Sequence, residues 1–485
     1  MHVETPQSRV RFAVERADIT PPVGIYHRMW GAATHDQAAG VHRPLLATAM
    51  IFAPLAATEP SPESLQVVIT LDHCLMGQRE IQQLRQRVLA AVQVPIESLL
   101  VLFSHTHAAG MMTHDRVEMP GGELIPGYLE RLNTTVAELV QQALSALRPA
   151  TIQYAQGRCD LAAQRDFWDD QRRMFVCGYH PGAAADDTVI AARAVADDGQ
   201  TLATIVNYAC HPTTLAWENQ LISPDYIGAM REVVERVIAA PCVFLQGASG
   251  DLGPREGFVG DTQVADRNGR QLAYAALSAL ESLGPARTRF AYAGPVVSGA
   301  TLGTWQHEPL EPAREAQLAA WQVDRRTLPL AYRPELPTIE SATTERQSWQ
   351  QQESESQAAG DPARARDCRA MVERQTRLLA RLRTLPADAF PYRIAAWRMG
   401  DAVWLAAQGE PYQQLQTELR QRFPDQTLIV CGLADEWGPS YLPPADLYGK
   451  NIYQESIAVV AAGSLERLIE FATETINGLL NGDSR

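Results

Sequence analysis

Five times along this chain a short apolar run stops and chemically capable polar residues follow at once. Leu99–Phe103 runs into Ser104-His105-Thr106-His107, and Leu202–Tyr208 into Ala209-Cys210-His211-Pro212-Thr213-Thr214. Cys242–Leu245 leads to Gln246-Gly247-Ala248-Ser249-Gly250-Asp251, Val403–Ala407 to Gln408-Gly409-Glu410, and Thr427–Cys431 to Gly432-Leu433-Ala434-Asp435-Glu436. Runs of this length and composition read as buried strands. Ligands of open α/β sheets bind beyond the carboxyl ends of the strands. If these strands are parallel neighbours, the five junctions converge on one crevice.

The segments between them carry helical patterns. Glu80–Val92 keeps its apolar residues on one face, and Tyr128–Leu147, Ala229–Ala239 and Ser464–Leu480 follow the same rule. The third follows Ser223-Pro224-Asp225, a helix-start signal, and the last ends near Asn481-Gly482. Strands, including Val67–Leu71, alternating with helices predict an α/β fold. From about Glu308 to Thr384 the composition shifts to Gln, Arg, Glu and Ala, and Gly360-Asp361-Pro362 separates two helical stretches, Thr344–Gln357 and Ala363–Leu382. The expected architecture is a layered mixed β-sheet flanked by helices, built from residues 1–307 and 385–485, with a helical hairpin inserted at 308–384. A charge-laced hairpin of this kind has three readings: a solvated surface feature, a lid over the site, or an arm for homo-oligomerisation.

Bulk properties exclude several function classes. The 485 residues are 46% hydrophobic and 20% charged, enough for a large buried core. A formal net charge of -14 argues against a general binder of nucleic acid or anionic membranes, which needs a basic face. The seven cysteines are dispersed without a CxxC pair, several of them in apolar runs, which fits a reduced compartment better than a disulfide framework. No apolar stretch reaches the roughly 18–20 residues of a membrane span. Met1-His2-Val3-Glu4-Thr5-Pro6 lacks the apolar core of a secretory signal. The expectation is a cytoplasmic protein without a transmembrane segment.

His105 and His107 stand two apart at a strand end, so in extended backbone both imidazoles point the same way. Imidazole suits zinc, and catalytic zinc usually takes three protein ligands while keeping a position for water. Rival motifs fail on specific residues. A metallo-β-lactamase type HxHxDH is broken by Ala108-Ala109-Gly110, and Asp251 occupies the last glycine of a GxSxG elbow. The Gly247–Gly250 turn lacks the Lys-Ser/Thr ending of a P-loop.

Taken together, the motifs resemble the neutral/alkaline ceramidases. The likeness runs from Asp18-Ile19-Thr20-Pro21-Pro22 and Gly40-Val41-His42-Arg43 through Ser104–Gly110, Asn207–Thr214, Gly250-Asp251-Leu252 and Gln408-Gly409-Glu410 to Tyr441–Tyr448 and Tyr453. Its order and spacing hold over most of the chain outside the hairpin. The resemblance implies a single zinc held by His105, His211, Glu410 and Tyr441. It implies a catalytic role beside the metal for His107, and substrate or oxyanion contacts for Arg165, Tyr448 and Tyr453. Read without it, Glu410 is a helix-start carboxylate and Tyr441 a packing tyrosine in a Pro-rich loop. Asp72 and Asp225 are open to two readings, as carboxylates that orient imidazoles or as a turn residue and a helix cap.

Two departures bear on substrate. The family's Gly-Asp-x-Ser-Pro arrangement has Gly253 in place of the serine, and few residues follow Tyr453 where the family continues into a C-terminal β-sandwich. The expected activity is therefore zinc-dependent hydrolysis of an amide bond in a small-molecule N-acyl or lipid-like substrate that need not be ceramide. An esterase or lactonase using the same zinc site is the alternative within the hydrolases. A non-catalytic binding or assembly protein is the alternative outside them.

Overall fold

The computed structural model describes residues 1–56 and 61–482. Its centre is a pair of sheets packed face to face. The larger sheet comprises β1 (Gln7–Asp18), β2 (Leu46–Pro54), β3 (Gln66–Leu71), β4 (Leu99–Phe103), β5 (Arg148–Arg158), β6 (Thr188–Ala196), β7 (Thr201–Tyr208) and β8 (Cys242–Gln246), in the order β8-β7-β6-β5-β1-β2-β3-β4. The smaller comprises β9 (Trp321–Leu330), β10 (Phe390–Met399), β11 (Ala402–Ala407) and β12 (Thr427–Cys431), in chain order. Their facing side chains form one core, in which Phe12, Phe52, Trp397 and Trp404 are fully buried and Phe52 meets Trp404 edge-on at 5.4 Å.

Helices cover the outer faces, each laying down an apolar stripe. On the larger sheet α1 (Gln78–Ala91) and α2 (Ile125–Ser145) cover one half, and α3 (Tyr226–Ile238) and α4 (Thr262–Glu281) the other. After α5 (Ile339–Ala358) and α6 (Pro362–Leu382), α7 (Gln414–Arg422) and α8 (Ser464–Asn481) cover the smaller sheet. The expected α/β class and layered mixed sheet are both present.

The expected convergence of strand ends also occurs, by a different route. The strands are not one parallel set. Within these two sheets the parallel pairs are β3–β4 and β7–β8, at the two ends of the larger sheet, and β11–β12 in the smaller. The two ends of the larger sheet touch each other, and β12 contacts β7 and β8. Asn207, at the end of β7, fixes that junction by donating to the Leu245 and Val430 carbonyls at 3.0 Å each, one in either sheet.

The helical hairpin is shorter than its composition indicated. Residues 308–338 hold the end of the strand Thr301–Pro309, a short helix Pro312–Leu318 and the edge strand β9, and only α5 and α6 form the helical pair. β9 was hidden because Trp321-Gln322-Val323-Asp324-Arg325-Arg326 carries as much charge as the helices after it. The outer helix α5 buries only Ala342. The inner helix α6 is docked by charge: Glu373 accepts from Arg116 at 2.8 Å and from Arg377 at 2.9 Å, all against the body of the protein. Among the described residues no helix is long and apolar enough to cross a membrane. Removing the central carboxylate by Glu373→Ala strands buried Arg116, so we expect a loss of about 3–5 kcal/mol in urea unfolding.

Candidate metal centre

Three strand ends deliver the polar groups to one point. His105 follows β4, His211 follows β7, and Glu410 follows β11. Glu410 then pairs in parallel with Tyr441, its Cα partner, and the Glu410 amide donates to the Ser440 carbonyl at 2.8 Å. A short β-bridge thus sets a carboxylate beside a phenol. The backbone around them is left-handed at several places, with φ of 70° at His105, 67° at Gly409 and 65° at Ser440. Non-glycine residues in that region store strain and cluster at functional sites. Positive φ at His105 also ends the extended geometry expected for the HxH pair. His105 and His107 nonetheless both line the cavity, with ring centroids 4.9 Å apart.

The imidazoles are aimed by backbone carbonyls. His105 Nδ1 lies 2.7 Å from the Cys74 carbonyl and His211 Nδ1 2.7 Å from that of Ser249. Each Nδ1–H is thereby used, and each Nε2 faces inward. The two Nε2 atoms are 3.1 Å apart, and Glu410 Oε2 lies 3.2 Å from one and 2.9 Å from the other. Tyr441 Oη is 3.4 Å from His211 Nε2. All four residues are buried. Burial works against charge on each group. At His105 the Cys74 thiol and Glu410 outweigh it and hold the pKa well above the ordinary value. His211, buried and facing Arg165, falls to about 3. Burial would raise Glu410, but His105 and His211 hold its carboxyl well below the usual range. Tyr441 is pushed well up by burial and by Glu410. Two inward lone pairs and a carboxylate oxygen within about 3 Å of one another are mutually repulsive unless they share a cation. His105, His211 and Glu410 have the donor atoms and spacing of a metal site.

Other expected site residues divide into those that join this group and one that does not. Arg165 is buried and donates through Nη2 to the Gly250 carbonyl at 2.7 Å and to Tyr441 Oη at 3.1 Å. His107 Nε2 is buried without a partner, and burial together with His105 and His211 keeps this imidazole neutral. Tyr453 leans edge-on against Tyr441 at 5.8 Å, is about half exposed and lines the cavity. Tyr448 stays out, because its hydroxyl donates to the Val460 carbonyl and its side chain does not line the cavity. Asp225 caps α3 and Asp72 pairs with Arg231 at 2.6 Å, so neither orients an imidazole.

The cavity beside this cluster has a volume of about 470 Å³. Trp30 lies over His107 at 5.1 Å and meets Trp217 and Phe258 edge-on, giving one aromatic wall. The inner helix α6 gives another. Thr213 Oγ1 also faces in, buried and without a partner. Cys74 and Thr213 were within reach of sequence reasoning, since both follow strand ends, at Asp72-His73-Cys74 and His211-Pro212-Thr213. Trp30, Trp217 and Phe258 lie in irregular segments with no pattern to mark them.

Solved structures place this architecture. The neutral ceramidase from Pseudomonas aeruginosa superposes with a TM-score of 0.62 at 16% identity, covering 96% of this chain and 73% of that one. This chain has the neutral-ceramidase fold. A second structure, a ceramidase complexed with C2, gives 0.60 at 15% identity over 96% and 74%. No family model matches the chain, and neither does any curated protein sequence.

Within this ceramidase fold, Gly253 has ordinary backbone and room for a side chain. A Cβ there would meet Thr213 Oγ1 at 3.6 Å and Arg165 Cδ at 3.7 Å, normal contacts. At Gly409 a Cβ would lie 2.5 Å from the Ser440 carbonyl, in addition to the positive φ. Gly253→Ala is expected to leave thermal stability unchanged or to raise it by up to about 1 kcal/mol. Gly409→Ala is expected to cost about 1–3 kcal/mol in the same measurement.

Proposed function

We propose that the protein is a zinc-dependent amidohydrolase that cleaves the C–N bond of an N-acyl compound with water. The observation that carries this reading is the convergence of two inward Nε2 atoms and one carboxylate oxygen at the edge of a largely apolar cavity. His105, His211 and Glu410 would hold the ion, with Tyr441 beside them. Two neutral imidazoles and a hard carboxylate suit zinc. A bound zinc ion supplies Lewis-acid polarisation of the carbonyl and a lowered pKa for water.

The chain's own groups supply the remainder. His107 is neutral with a free Nε2, so it can accept the proton of the attacking water and return it to the departing nitrogen. As water oxygen bonds to the carbonyl carbon, negative charge grows on the carbonyl oxygen. Arg165 and the Tyr453 hydroxyl are placed to donate to it. Bond cleavage then leaves a carboxylic acid and an amine. Gly253 offers no hydroxyl, and a reaction with water as the nucleophile needs none at that position. The aromatic wall of Trp30, Trp217 and Phe258 suits the acyl chain.

Metal analysis of protein purified without chelators is expected to find one zinc per chain. The double variant His105→Ala/His211→Ala is expected to lose it. His107→Ala should keep the zinc and lose roughly 10²–10⁴-fold in kcat on a fluorogenic N-acyl amide. Little zinc in the wild type, or full zinc in the double variant, would refute the proposal.

A further inference from the structure

The cavity is basic although the chain is acidic. Its charged lining consists of Arg165, Arg374, Arg377 and Arg381 against Glu373 and Glu410, a net charge of +2 in a protein of -14. Both carboxylates are committed, Glu373 to Arg116 and Arg377, Glu410 to the two histidines. Arg165 Nη2 is engaged too, by Gly250 and Tyr441, and the rest of that guanidinium is assigned to the reaction proposed above. Arg381 is not. Among the described residues its side chain makes one hydrogen bond, from Nη1 to the Ile457 carbonyl at 3.0 Å, and no ion pair, while lining the cavity. Arg374, at the exposed rim, makes neither a side-chain hydrogen bond nor an ion pair among the described residues.

These cations share an address. Positions 374, 377 and 381 fall on one face of α6, three and four residues apart. Arg381 reaches the short helix Tyr453–Ile457, whose Tyr453 rests on Tyr441, so it stands on the phenol side of the cluster. The aromatic wall stands on the other side, where Trp30 covers His107. Arg381 is half-buried and its guanidinium makes no ion pair among the described residues, so an anionic ligand would supply the partner it lacks. Its planar fork fits a carboxylate with two parallel hydrogen bonds.

We infer that the substrate is an anionic amide, an N-acyl amino acid whose carboxylate is received by Arg381 with Arg374 at the rim, while its acyl chain lies on the aromatic wall. This rests on the amidohydrolase reading for the scissile bond but not for the carboxylate site. The site distinguishes this pocket from one built for a neutral headgroup, and it resides on α6 rather than on the strand ends.

The test compares N-lauroylglycine with N-lauroylglycinamide, which differ only in that charge. Calorimetric titration of the purified protein is expected to show the acid binding roughly tenfold or more tightly than the amide. Arg381→Met should bring the two dissociation constants together, and Arg381→Lys should keep a measurable preference for the acid. Equal affinities in the wild type, or a preference that survives in Arg381→Met, would overturn the inference. So would loss of both ligands in the Met variant with nothing regained in the Lys variant, which would make Arg381 purely structural. Turnover of both compounds is followed in parallel. A preference in binding with no cleavage of either would defeat the hydrolase reading and leave the carboxylate site standing. Cleavage of both with equal kcat/KM and equal affinity would do the reverse.

Discussion

Two imidazole nitrogens held 3.1 Å apart, with a carboxylate oxygen against both, form the constraint on which this structure turns. Neither ring can rotate to relieve the contact, because each Nδ1 is engaged by a main-chain carbonyl. A neutral imidazole that donates from Nδ1 must present a lone pair at Nε2. The arrangement therefore calls for one shared positive charge, a proton or a metal ion. The strained φ at His105 and the left-handed turn at Gly409-Glu410 hold the donors in place against their mutual repulsion. Backbone carbonyls are a rigid means of aiming imidazoles, since they move only if a strand end moves.

That rigidity comes from the paired sheets. Each donor sits within a few residues of a strand buried on both faces, and the three parallel strand pairs meet only because the larger sheet brings its two ends together under the smaller one. Asn207 ties the junction with hydrogen bonds into both sheets, and the Phe52–Trp404 contact fills the space behind it. An unpartnered amide at position 207 would be expensive in such a place. Its two bonds tie the register of β8 and β12 to that of β7, and so set the spacing between His211 and Glu410.

The strand ends were legible because composition and chemistry change sharply there. Leu99–Phe103 and Thr427–Cys431 match the structure to the residue, and the other three runs extend by one residue at one end. The long antiparallel strands β1, β5 and β10 were not legible, since Arg9, Arg11, Gln153 and Arg393 interrupt their apolar alternation and find partners only in the folded state. The metal donors could be located by position alone at His105 and His211. Glu410 and Tyr441 required the family resemblance, because the bridge that pairs them is two residues long and leaves no periodic trace. Tyr448 shows the reach of that method. A motif position carries a residue type forward, but its hydroxyl is satisfied by Val460 and turns away from the cavity.

In the proposed reading, chemistry and selectivity come from different parts of the chain. The strand ends supply the candidate metal donors and the neutral His107, all within the architecture shared with the neutral ceramidases. The wall facing them comes from α6, outside the segments that carry the motifs, and its arginines set the cavity's sign. The Glu373 network anchors that helix, so the uncommitted Arg381 is held in place by contacts it does not itself make. A helix docked by its own buried ion pair can change its cavity-facing residues without disturbing the strand ends. Under the proposed reading, changes confined to α6 would therefore alter what the cavity admits while the groups at the strand ends stay where the sheets put them.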